Sequence, residues 1–140
     1  MRSVSTFATL PFPPRPTEEA PDGSRLRALS RVDAGSMAHF ELAAGATSRA
    51  VTHRTVEELW FVLRGRGEIW RKVGRVEQIV VLEPGTSLTI PRGTHFQFRA
   101  SPEAPLEFVG VTMPPWPGKQ EAEPVVGPWT PTATDEWRKL

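Results

Sequence analysis

Cysteine is absent from all 140 residues, which excludes a disulfide framework, a thiolate nucleophile and a cysteine metal site. Long apolar runs are absent too, and no stretch approaches membrane-spanning length, so no membrane partner is expected. The first sixteen residues, MRSVSTFATLPFPPRP, are broken by prolines and hold no apolar run of signal-peptide length. With no cysteine in the chain, a cytoplasmic location is the expectation. Charge of one sign is also missing. Seventeen basic and sixteen acidic residues are interspersed for a net charge of +1, which gives no electrostatic case for nucleic acid. Helix-length amphipathic segments, a nucleophilic serine arrangement and a phosphate-cradling glycine loop are all lacking. Gly65-Arg66-Gly67 is read as a hairpin turn, because no helix follows it.

What the chain does have is fifteen prolines and eleven glycines punctuating short apolar runs. Its length fits one domain with a real core. Strands are predicted at Arg25 to Val32, Ser36 to Ala43, Glu58 to Leu63, Glu68 to Lys72, Val76 to Leu82, Ser87 to Ile90, His95 to Arg99 and Leu106 to Met113. Turn signals such as Asp33-Ala34-Gly35, Gly74 and Glu83-Pro84-Gly85 separate them. Strands at this spacing indicate an all-β sandwich or barrel. Residues 1–24 read as a proline-rich arm ending in the turn Pro21-Asp22-Gly23, residues 25–113 as the barrel, and residues 114–140 as a Pro/Trp-rich tail packed on it. Trp116, Trp129 and Trp137 are poor company for disorder. They anchor the tail, or one of them closes the mouth of a ligand cavity.

Two segments carry a resemblance. GATSRAVTHRTVEELWFVLRG runs from Gly45 to Gly65, and GTSLTIPRGTHFQFRA from Gly85 to Ala100. They resemble the paired motifs of the cupin superfamily, G-x5-H-x-H-x4-E-x6-G and G-x5-P-x-G-x2-H-x3-N. The glycine, proline and glutamate spacings match. Two histidine positions do not: Val51 stands at the first and Phe96 at the third, while His53 and Glu58 match, and Ala100 replaces the closing asparagine. The resemblance implies a cupin-type jelly-roll β-barrel whose usual metal site is degenerate.

Strand alternation then sorts the side chains. If Glu58 points inward, as the resemblance implies, Trp60 and Val62 follow it, and Leu59, Phe61 and Leu63 face outward. Such an apolar outer face wants cover, either a second subunit in a homodimer or the arm and tail of the same chain. Val51 and His53 share the inner face. The strand from His95 has two registers. Without a gap, Phe96 and Phe98 line the cavity. With one residue deleted after Gly93, His95, Gln97 and Arg99 turn inward instead. His39 is read as a surface or structural histidine, or as a substitute polar group for the site. Arg64, Arg66, Arg71, Lys72 and Arg75 read as a solvated rim.

A divalent transition metal needs about three protein ligands. The ungapped register supplies His53 and Glu58, and the gapped register adds His95, so no cofactor is favoured but a metal stays open. Without a metal, a carboxylate among apolar side chains is costly to ionise unless a cation pairs with it, and His53 is the available partner. The leading reading is therefore a small-molecule enzyme with His53 and Glu58 as acid and base. It would catalyse isomerisation, cyclisation or elimination on an apolar carbonyl-containing or aromatic substrate held by Val51, Trp60, Val62, Phe96, Phe98 and Gln97. The alternatives are a metal-dependent dioxygenase or lyase using His53, Glu58 and His95, and a non-catalytic binding protein for a small ligand.

Overall fold

The structure is a computed structural model and describes residues 6–132. Among them are eleven short strands: β1 (Glu18–Glu19), β2 (Arg25–Val32), β3 (Gly35–Leu42), β4 (Val51–His53), β5 (Glu57–Arg64), β6 (Gly67–Val73), β7 (Val76–Leu82), β8 (Ser87–Ile90), β9 (His95–Ala100), β10 (Leu106–Met113) and β11 (Ala122–Pro124). The eight strands expected from the sequence are present, with ends within one residue of those expected. The additional strands β1, β4 and β11 have two or three residues each, too short to show a period. One 3-10 turn, Lys119–Glu121, precedes β11.

The strands form two antiparallel sheets, ordered β1-β2-β3-β10-β5-β8 and β11-β4-β9-β6-β7. This is the jelly-roll arrangement, and it corrects one reading of the sequence. Gly65-Arg66-Gly67 does not close a hairpin, because β5 and β6 belong to different sheets. The segment is a crossover in tight quarters. A Cβ on Gly65 would lie 2.2 Å from the Pro105 carbonyl oxygen, and one on Gly67 would lie 2.0 Å from that of Arg99. Glycine is needed there for close approach of backbones as well as for the positive φ of Gly65.

The core lies between the sheets. Trp60 of β5 stacks on Phe108 of β10 at 3.7 Å and meets Phe98 of β9 edge-on at 5.1 Å, so aromatic contacts join the two layers. Burying each such ring contributes roughly 1.5–3 kcal/mol. Along β5 the alternation is as the sequence implied: Glu58, Trp60 and Val62 are 4%, 3% and 0% exposed, while Leu59, Phe61 and Leu63 are 48%, 49% and 41% exposed.

The β9 register is the ungapped one. Phe96 pairs with Val51, and Phe96 and Phe98 point into the core. His95, Gln97 and Arg99 therefore lie on the outer face, and the gapped alternative is wrong. Gln97 is buried there because the tail covers it. Its Nε2 donates to the Ser48 and Trp129 carbonyls, and its Oε1 accepts from the Trp129 N–H. Trp129 also lies 4.1 Å beneath the Arg99 guanidinium. The tail is further stapled by Glu121, whose carboxylate accepts from Thr55 Oγ1 at 2.6 Å, from the Thr55 N–H and from the Val56 N–H at 2.9 Å. Trp137 lies outside the described residues.

Candidate functional site

A cavity of about 210 Å³ opens between the inner face of the six-stranded sheet and the arm. His53 at the end of β4 and Glu58 and Trp60 on β5 form one wall. Ala20, Pro21 and Asp22 of the arm line it too, and Trp116 comes from the tail. Gly110 of β10 leaves room beside Trp60, where a Cβ would lie 3.4 Å from its ring.

His53 Nδ1 lies 2.7 Å from Glu58 Oε2, with the two side chains 8% and 4% exposed. Nδ1 has no aligned hydrogen bond, so the contact is a close approach of the ring nitrogen to the carboxylate rather than a straight N–H to oxygen bond. The other carboxylate oxygen, Glu58 Oε1, accepts from Trp60 Nε1 at 2.9 Å. Residues 58 and 60 share a face because they are two apart on a strand. Both Glu58 oxygens are thus engaged, and the carboxylate is fixed in place. Phe96 and Trp116 flank the His53 ring edge-on at 5.3 and 5.1 Å. Burial by itself would lower the His53 pKa. The Glu58 contact and the negative charges of Glu58, Asp22 and Glu121 outweigh it, and the net direction is upward. His53 Nε2 has no partner among the described residues, so it is the nitrogen left to meet a ligand.

Asp22 is a third titratable group in the same cavity and was not recognised in the sequence. It sits in a Pro-Asp-Gly turn, a pattern that signals solvent exposure, yet it is only 8% exposed. Its Oδ1 accepts from the Ser24 N–H at 2.9 Å and the Ser24 hydroxyl at 2.6 Å. Burial raises its pKa, the Ser24 bonds oppose this, Glu58 adds to the rise, and the net direction is upward.

Of the residues assigned to substrate binding, Val51 and Trp60 line the cavity. Val62, Phe96 and Phe98 point inward but fill the core beneath it. Gln97 holds the tail on the opposite face, so it is not a cavity residue. His39 faces outward, where Glu107 Oε1 contacts its Nε2 at 2.9 Å and Phe12 of the arm covers its ring. That is the structural role weighed for it from sequence.

The family's metal chemistry has a poor fit here. Val51 and Phe96 present hydrocarbon where imidazoles would stand, and His95 faces away. His53 Nδ1 is held against Glu58. Among the described residues no three His, Cys, Asp or Glu side chains group as metal ligands. A donor set of one imidazole and one carboxylate falls short of the three protein ligands a stable site needs.

Among curated proteins, none matches the chain in sequence. Solved structures that it resembles include the cupin domain of Cnp3 from Schizosaccharomyces pombe, at 12% identity and a TM-score of 0.58, with 65% of this chain and 64% of that one covered. KdgF from a Halomonas species is 15% identical with a TM-score of 0.58, over 65% of this chain and 80% of that one. An uncharacterized double-stranded beta-helix protein from Klebsiella pneumoniae is 18% identical with a TM-score of 0.58, over 71% and 77%. These likenesses concern the fold. The family model for the cupin domain matches residues 38–112, more than half of the sequence and both glycine-spaced segments, and with the jelly-roll now described the chain belongs to the cupin family.

Proposed function

We propose that this cupin is a small-molecule enzyme that moves a proton on a compact, apolar carbonyl compound, with His53 and Glu58 as its acid–base pair. The observation that carries the reading is the buried 2.7 Å contact between them at the wall of a cavity otherwise rich in apolar side chains. Its volume of about 210 Å³ is below the roughly 300–1,000 Å³ of sites for drug-sized ligands, which restricts the substrate to a single ring or short chain.

The chemistry follows from the contacts. Glu58 holds Nδ1 and stabilises positive charge on the imidazole, and the Trp60 N–H holds Glu58. Nε2 takes a proton from the carbon beside the carbonyl. The C–H electron pair becomes a C=C bond, and the carbonyl π pair moves onto oxygen, leaving an enolate and an imidazolium. Returning the proton to another carbon completes an isomerisation, and expelling a β substituent completes an elimination. Neither route consumes a co-reactant.

Side-chain bonds from His53 and Glu58 to the protein's own backbone would favour a binding-only reading, and among the described residues neither makes one. A homodimer is part of the proposal, supported by the exposed outer face of β5, and a cytoplasmic location is proposed with it from the absence of cysteine. The test is deuterium exchange at the α carbon of a panel of small ketones and enones in heavy water, followed by NMR. Wild type should accelerate exchange, and Glu58→Gln and His53→Ala should each remove about a hundredfold to ten-thousandfold of that rate. Exchange that persists unchanged in Glu58→Gln, or that wild type accelerates for no member of the panel, would sink the mechanism.

A further inference from the structure

The mechanism leaves one buried carboxyl of the cavity unused. An enolate forms readily only where its oxygen meets a hydrogen-bond donor placed in advance. We propose that Asp22, carried into the cavity by the N-terminal arm, supplies that donor, its Oδ2 holding the substrate's carbonyl oxygen while His53 works at the neighbouring carbon. The inference rests on the acid–base reading of His53 and Glu58, and it adds the substrate's orientation and the arm's part in it.

Asp22 is oriented for the role. The Arg49 N–H donates to its carbonyl at 2.8 Å, and Arg49 Nη1 donates to the Pro21 carbonyl at 2.9 Å, which pins the turn. Ser24, itself 0% exposed, occupies Oδ1 with two donors. Two donors on Oδ1 leave Oδ2 as the oxygen to carry a proton. Oδ2 has no hydrogen bond among the described residues. As part of a carboxyl that lines the cavity, Oδ2 is the oxygen open to a ligand atom, and a ligand acceptor there would complete its hydrogen bonding.

The surrounding charges select the ligand. Glu58 raises the Asp22 pKa and His53 lowers it, while Glu18 and Arg31, on exposed positions, line the same cavity. Burial is the largest influence, and the net upward shift favours the protonated, donating form over that of an ordinary aspartate. A carboxylate ligand placed there would meet the like charge of Glu58. A neutral ketone, aldehyde or enone would not, and its oxygen accepts what Asp22 offers. The class is therefore an enolisable neutral carbonyl compound rather than an organic acid.

The probes are acetophenone and ethylbenzene, equal in shape but for the carbonyl, with binding read by quenching of Trp60 and Trp116, which line the cavity. Wild type should prefer acetophenone by about fivefold to tenfold, the worth of one hydrogen bond. The preference should fade as pH rises through the Asp22 pKa, which lies above the ordinary 3.8. Asp22→Ala should bind both probes about equally. Asp22→Asn keeps an acceptor for Ser24 and a permanent donor for the ligand, so it should retain the preference and lose its pH dependence. His53 still titrates in that variant, with its upward shift reduced by loss of the Asp22 charge, so the pH dependence that disappears is that of Asp22. Thermal unfolding checks the fold, and if Asp22→Ala does not fold, Asp22→Asn alone decides. A preference that survives in Asp22→Ala, or a wild-type pH profile in Asp22→Asn, overturns the proposal and leaves the acid–base pair standing. Failure of wild type to bind either probe overturns both.

Discussion

At the scale of single residues, two buried carboxyl groups are handled in opposite ways. Asp22 is held by one serine and its pKa rises, whereas Glu121 gathers three donors from Thr55 and Val56. Burial pushes the Glu121 pKa up, but those bonds and the charge of His53 pull it below the ordinary 4.5. The consequences for stability differ in sign. Glu121, with a depressed folded pKa, contributes stability above pH 4.5 that is lost as pH falls through its folded value. Asp22 and His53, with raised folded pKa values, contribute stability below 3.8 and 6.5 that is lost as pH rises through theirs. Glu121→Gln should therefore lower stability by about 1–3 kcal/mol near neutral pH, and the deficit should shrink on acidification below 4.5. Urea unfolding at several pH values measures it, and a deficit independent of pH would show that the staple does not depend on charge. Neither carboxyl was legible as a site in the sequence. Pro-Asp-Gly reads as a surface turn, and a glutamate among prolines reads as tail, because Asp22 is buried in a cavity that distant β4 and β5 help to wall, and Glu121 is bonded by Thr55 and Val56, 66 and 65 positions away.

At the scale of strands, alternation and family spacing carried β5 correctly, since a period of two leaves no choice once Glu58 is turned inward. They left β9 open, because both of its faces offered aromatic or polar side chains and the tail that buries Gln97 pairs with no predicted strand. The answer decides the metal question. Val51 and Phe96 are cross-strand partners, both 1% exposed and both facing the interior beside His53. Wild-type protein purified without added metal should carry well under one equivalent of any transition metal by plasma mass spectrometry. Val51→His combined with Phe96→His should install imidazoles at both missing positions and give near-stoichiometric zinc or nickel binding on titration, at some cost in core packing. A wild type that arrives loaded with metal, and loses it in His53→Ala, would overturn the metal-free reading.

At the scale of the whole molecule, the two faces of the six-stranded sheet behave differently. The inner face is closed by the core and the arm. The outer face of β5 stays open, with Leu59, Phe61 and Leu63 between 41% and 49% exposed. The described part of the arm instead reaches the neighbouring strands, where Phe12 packs on His39 and the Pro13 carbonyl accepts from Arg27 Nε at 2.9 Å. The tail lies on the other sheet, pairing with β4. Neither described segment supplies the cover expected for so apolar a strip, and among the described residues no helix is long and apolar enough to cross a membrane. A second copy turned about a two-fold axis would set strip against strip, with each residue meeting its own counterpart or a near neighbour. The chain should therefore scatter light at micromolar concentration as a species of twice its 15.5 kDa mass. Phe61→Arg, at the centre of the strip, should give a monomer that still folds, because the side chain is already 49% exposed in the single chain. It should leave the His53–Glu58 contact intact, since that lies on the inner face. A wild type that stays monomeric at every concentration would assign the cover of this strip to nothing in the described chain and remove the dimer from the functional reading. A Phe61→Arg dimer would move the interface to another surface.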